Sequence, residues 1–232
     1  TRWDPAVVAL IGIAGGIHKD ARLGDVIIAS EVSNYLEGAK AIDGGSGTSF
    51  ERASDSFKPR DLLLNRVRNF EFASRASFQK WESTCERRCA ALGVAVEPLR
   101  TSDLLRAKPA QLEGHIASGP AVVTSSAFVA WIRGGDRTCL CVEMESGGAM
   151  ITGHMDPSQR DVIVIRSISD FADDRKAVLD KIGGGALRRY AMENALDFLW
   201  ALIEAGVLPR GPDDVAQEPN GTRLDRGPID QT

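Results

Sequence analysis

The stretch AVVALIGIAGGI, residues 6–17, decides the fold. From Val7 to Ile13 it is uncharged and rich in β-branched residues, the pattern of a strand buried on both faces. It then empties into Ala14, Gly15 and Gly16. Glycine permits a tight turn and the close approach of a ligand alike, so both readings stand on this stretch alone.

The same organisation recurs outward from it. Gly24-Asp25 turns the chain into a second strand, Val26 to Ser30. His115 to Thr124 carries HIASGPAVV, an apolar strand with a small-residue bend. CLCVEMESGGAM (139–150) passes from strand to helix with two carboxylates at the junction. DVIVIRSISDFADD (161–174) is the most hydrophobic strand and also ends in acids. Between them, Pro59 and Asp61 open a helix predicted to run, with a break, to about Leu92. Gly93 ends it, and Val94 to Pro98 reads as a short strand. Ser125 to Arg133 reads as a short helix, and Ala186 to Ala205 as an amphipathic one that packs on the sheet. Residues 42–58 are polar and Gly/Ser-rich, the composition of a mobile loop. Strands alternating with helices predict an α/β domain over residues 1–207, with 208–232 a Pro/Gly-rich tail or linker. In open α/β sheets ligands bind at the carboxyl ends of strands, which moves the reading of AGG toward a ligand.

The net charge of −4 offers no electrostatic footprint for nucleic acid. No apolar run approaches the roughly eighteen residues that span a membrane, and TRWDPAVVAL lacks a signal-peptide pattern. The chain therefore reads as cytoplasmic. Cys85/Cys89 and Cys139/Cys141 have neither zinc-ribbon nor redox spacing and read as buried free thiols. His18, His115 and His154 show no ligand spacing, so no metal is expected. Tyr35 reads as packing. GIAGG departs from the G-x-G-x-x-G spacing of a dinucleotide-binding fold.

Chemistry concentrates in VEMES (142–146) and SISD (167–170). Glu143 and Glu145, one residue apart, would share a face if the strand continued. Asp170 ends an apolar strand, where desolvation favours the neutral form of a carboxyl. One carboxylate binding hydroxyls and another holding a proton is an acid/base arrangement. Acids that merely end strands and cap helices are the alternative, and the residues alone leave it open.

GIAGGIHKDARLGDVIIAS, IASGPAVV, VEMESGGAM and VIRSISDFAD follow one another in the order and approximate spacing of the nucleoside phosphorylase and nucleosidase superfamily. The resemblance runs from about Val7 to Ala205 and is closest in character to the methylthioadenosine/S-adenosylhomocysteine nucleosidases. It implies a three-layer αβα fold around a mixed sheet, and cleavage of the N-glycosidic bond of a purine nucleoside or nucleotide without a cofactor. By position it makes Asp170 the general acid at purine N7 and sets Glu145 on the ribose hydroxyls. Met144 falls under the sugar, Val122 and Val123 against the base, and Ala14 and Gly15 near the ribose. Glu143 and Ser169 complete the implied substrate-binding set. Arg166, four residues before Asp170, reads as a structural ion pair.

Three departures qualify the resemblance. Ile13 stands where relatives often carry Ser or Thr, which favours water over phosphate as the nucleophile. Pro120 stands where relatives often have an acid. The strand and loops that carry the family's water-activating group precede the AGG strand, whereas this chain starts at Thr1, and Glu31 and Glu37 do not align with that base. The expectation is an N-terminally incomplete domain, a homo-oligomer attached to further domains. A non-catalytic nucleoside-binding module and a phosphorolytic enzyme are the alternatives.

Overall fold

The apolar run becomes β1 (Val7–Gly16), three residues longer than its uncharged core, in a computed structural model that describes residues 5–37, 39–44, 47–51, 55–156 and 160–208. The other main strands are β2 (Val26–Asn34), β6 (Gln111–Ser118), β7 (Cys139–Glu143) and β8 (Asp161–Asp170). With β5 (Ser56–Phe57) they form a six-stranded sheet in the order β5-β2-β6-β7-β1-β8. The sheet is mixed. β1 runs parallel to β8 and antiparallel to β7, and β2 and β6 are parallel. It also curls on itself, because Val26–Ile28 of β2 pair antiparallel with Ile165–Ser167 of β8. Every residue of β8 is buried, the apolar run Val162–Ile165 and the polar Arg166, Ser167, Ser169 and Asp170 alike.

Register brings three strand ends together. Gly15 lies opposite Asp170 across a bulge in the β1–β8 ladder and opposite Val142 across the β1–β7 ladder. Ser118 is paired with Glu143. Among the described residues, β7 reaches β1 only at Gly15 and Gly16, so the edge of β1 opposite β8 is otherwise unpaired from Val7 to Ala14.

Helices cover both faces of the sheet. The predicted break divides the first helix into α1 (Asp61–Arg68), α2 (Phe70–Ala73) and α3 (Arg75–Ala91). Leu63, Val67, Phe70 and Trp81 of this group pack with Phe198 of the last helix, α8 (Ala186–Glu204), against Val26, Ile28, Ile163 and Ile165. Burying each such side chain contributes roughly 1.5–3 kcal/mol. The alternate residues Ile27, Ala29, Val164 and Ile168 face a second cluster with Met150 of α6 (Ser146–Met155), Leu179 of α7 (Lys176–Leu179) and Leu187 and Tyr190 of α8. α5 (Ser126–Gly135), capped by the Ser125 hydroxyl, covers β6 and β7 through Ile132.

Four local expectations are corrected. Residues 94–98 are a 3-10 turn leading into the short helix α4 (Glu97–Thr101), because Pro98 suits a first helical turn and cannot donate to a strand ladder. The polar stretch after Ala41 is largely strand: β3 (Lys40–Gly44) and β4 (Gly47–Glu51) form a hairpin, in keeping with the β-formers Ile42, Thr48 and Phe50. The strand expected from His115 to Thr124 instead starts at Gln111 and ends at Ser118, before Gly119-Pro120. β7 stops at Glu143, so strand alternation does not govern Glu145. Of the tail expected over 208–232, Leu208 is instead buried in the cluster with Phe198, and the rest lies outside the described residues. No described helix is long and apolar enough to cross a membrane.

Candidate active site

A cavity of about 220 Å³ opens at the joined ends of β1, β7 and β8. All nine residues singled out from the sequence line it: Ala14, Gly15, Val122, Val123, Glu143, Met144, Glu145, Ser169 and Asp170. Ile13, Ala121, Val142, Ala172, Lys176 and Arg188 complete the lining.

Asp170 forms one wall. Its carboxylate is buried at the end of β8, where Oδ1 accepts the Ala172 backbone N–H at 3.0 Å and Oδ2 accepts the Ser169 hydroxyl at 2.9 Å. Lys176 Nζ, reaching back from α7, donates to the same Oδ2 at 2.5 Å. Gly15 makes this wall possible: a Cβ there would lie 2.7 Å from the Ala172 Cβ and 3.0 Å from Asp170 Oδ1. The AGG glycine is thus both cavity lining and the clearance for the neighbouring strand's acid.

The two glutamates have separate roles. Glu143 is buried and accepts the backbone N–H groups of Glu145 and Ser146 at 3.1 and 3.0 Å, so it caps α6 from the end of β7. Its other contact is the buried guanidinium of Arg166, which also donates to Ser146 Oγ at 3.1 Å and lies 3.2 Å from Glu145 Oε2. Glu145 caps nothing through its side chain and is exposed to the cavity. Desolvation, reinforced by the nearby Glu143 charge, raises its pKa against the opposing pull of Arg166. Arg166 therefore serves the glutamates as an ion-pair partner, and the cation beside Asp170 is Lys176.

The apolar wall is Val122 with Val123, on the loop between β6 and α5. Tyr35 anchors that loop from behind: its hydroxyl donates to the Ala121 carbonyl at 3.4 Å and its ring meets Phe128 and Trp131 edge-on. This is the packing role the sequence suggested. The remaining candidates lie elsewhere. Glu31 pairs with His115 Nε2 at 2.8 Å and with Lys58, while Glu37 accepts from Asn34. His115 is held between Glu31 and Asp136. All four cysteines are buried and free. Burial pushes the Cys85 thiol up to about 12.

Lys176 and Arg188 escaped the sequence reading. Lysine six residues beyond an acid has no periodic relation to it, and DDRK reads as a solvated run. The short α7 turns it back onto Asp170.

An α/β sheet with its acids and glycines gathered at one set of strand ends is the frame of a small-molecule enzyme. The chain belongs to the phosphorylase superfamily, whose family model matches residues 2–204. It is 26% identical over 179 residues to ATP nucleosidase Cap17 of Escherichia coli, covering 76% of this chain and 33% of that protein. The chain thus spans about a third of the length of the curated relatives it matches. The 5′-methylthioadenosine/S-adenosylhomocysteine nucleosidase of Neisseria meningitidis, solved with methylthio-immucillin-A, superposes with a TM-score of 0.56 at 22% identity, over 86% of this chain and 70% of that one. Futalosine hydrolase of Helicobacter pylori gives 0.52 at 18%, over 86% and 68%. These likenesses establish the mixed-sheet αβα fold.

Proposed function

We propose that this chain carries the purine site of a nucleosidase and hydrolyses the N-glycosidic bond of a purine nucleoside or nucleotide, releasing the free base. The observation that carries this is the cavity itself, lined by buried Asp170, exposed Glu145 and the apolar Val122–Val123 pair. The names of its relatives point the same way, toward adenine-bearing substrates such as ATP.

In this reading Asp170 passes a proton to purine N7 as the C–N bond breaks. The base leaves neutral, a general-acid contribution typically worth about 10²–10⁴-fold. The carboxylate left behind is held by Lys176 Nζ and the Ser169 hydroxyl. Positive charge develops on the ribosyl ring as in other glycoside cleavages. Glu145, accepting from the 2′- and 3′-hydroxyls, stabilises it, and Arg166 with Glu143 fixes the loop that bears Glu145. Met144 supports the sugar, and Ala14, Gly15, Val122 and Val123 bound sugar and base. Ile13 offers no hydrogen bond to phosphate, which favours water as the nucleophile.

A second reading, a nucleoside-binding module without turnover, draws on the Asp170–Lys176 ion pair, which engages the acid. Chromatography for free purine after incubation with adenosine, methylthioadenosine, AMP and ATP, with and without phosphate, separates the readings. Phosphate-independent base release supports hydrolysis. Saturable binding of the same compounds with no base released supports the module.

A further inference from the structure

A second cavity, about 310 Å³, opens on the other side of the segment that follows β8. Phe171 and Asp173 line it, whereas Asp170 and Ala172 line the first, so successive residues face the two cavities in turn and the backbone is the partition. Four cations border this second space: Lys19, Arg22, Arg133 and Arg175. Two are neutralised within the protein, Arg22 by Asp103 at 2.7 Å and Arg175 by Asp173 at 2.6 Å. Lys19 and Arg133 have no ion pair or side-chain hydrogen bond among the described residues, and Arg133 Nε is buried without a partner. A partly desolvated guanidinium without a counter-charge costs free energy that a bound anion recovers. Two uncompensated positive charges match a dianion better than a carboxylate. A phosphate ester carries about −1.5 to −2 at neutral pH and suits the fork of an arginine.

We infer that this cavity binds a phosphate group, with Lys19 and Arg133 as its counter-charges and the Ser126 hydroxyl as a neutral donor. The inference does not rest on the catalytic reading of Asp170. Ser126 and Arg133 both belong to α5, which is led in by the loop carrying Val122 and Val123. An occupant therefore steadies the apolar wall of the first cavity from behind.

Calorimetric titration of the full chain with pyrophosphate at low salt tests the site. Wild type and Lys176→Gln should bind alike, because Lys176 lies in the first cavity, whereas Lys19→Gln/Arg133→Gln should lose at least tenfold in affinity. Should the double variant fold poorly, Lys19→Gln alone, on an exposed turn, should still weaken binding about threefold. Two arms distinguish the source of the phosphate. Pyrophosphate competing with ADP but not with adenosine identifies a nucleotide's own phosphates, and pyrophosphate competing with neither identifies a free phosphate. Absence of pyrophosphate binding to the wild type overturns the proposal. So does affinity retained in the double variant or lost in Lys176→Gln.

Discussion

A Cβ placed on Gly12 would stand 1.9 Å from Nη1 of Arg166. The bare backbone of β1 is what admits the buried guanidinium that joins Glu143 to Glu145. Gly12→Ala should therefore push Arg166 off its partners and leave buried charge unpaired, a loss on the order of 3 kcal/mol in urea denaturation. Gly148→Ala, with nothing within 4 Å of the new methyl on α6, should be neutral or slightly stabilising. Equal effects from the two would separate Gly12 from the ion pair.

Glu145 supplies the next prediction. Glu145→Gln should weaken binding and cleavage of ribosides more than of 2′-deoxyribosides, because the lost acceptor faces the missing hydroxyl. Its carboxylate must be charged to accept strongly, and its pKa is raised by desolvation. Riboside affinity then falls as pH drops through that raised value, beginning at a higher pH than a free glutamate would give. A parallel decline for the deoxyriboside would remove Glu145 from the 2′-hydroxyl.

Asp25 gives stability a pH dependence. It is buried, accepting the Ala110 and Arg22 backbone N–H groups at 2.8 and 2.9 Å, and burial raises its pKa to about 6. The folded state then binds this proton more tightly than the unfolded chain. The stability it contributes is full below the unfolded value near 4 and declines as pH rises to about 6, by on the order of 3 kcal/mol. Denaturation midpoints of Asp25→Asn should lack this part of the slope between pH 4 and 6. An unchanged slope assigns it to other groups.

Among the described residues, the edge of β1 opposite β8 has no partner from Val7 to Ala14. We propose that a strand from outside the described residues covers Val7–Ala14, since an exposed ladder edge invites pairing. In hydrogen exchange, alternate amides from Val7 to Ile13 should exchange quickly in this chain and become protected in a longer polypeptide that also releases purine faster. Slow exchange of all of them here would mean that the edge is already covered.

Much of this organisation was legible in the sequence, for a physical reason. Val162–Ile165 is buried throughout and announces itself as an unbroken apolar run; Val7–Ile13 is as apolar but only partly buried, with Val8 exposed, and the residues at the ends of both strands fall at the site. Glu143 was legible as an acid at a strand end, but not its capping of α6, which depends on β7 stopping there. Lys176 was not legible, because its role comes from the direction of a four-residue helix. The closure of β2 onto β8 was equally hidden: a strand buried on both faces has the same pattern whatever its neighbour. Gly15 reads as space, but the sequence does not reveal that Asp170 of the adjacent strand fills it, nor that Gly12 makes room for Arg166.

In the proposed reaction Asp170 passes a proton to the departing base. Single-turnover purine release by wild type and Asp170→Asn, with nucleoside affinity measured in parallel, tests it most directly. A proton needed chiefly in the transition state predicts a fall of about 10²–10⁴-fold in the rate of base release, with affinity changed far less. Base release by Asp170→Asn at close to the wild-type rate would exclude Asp170 as the proton donor.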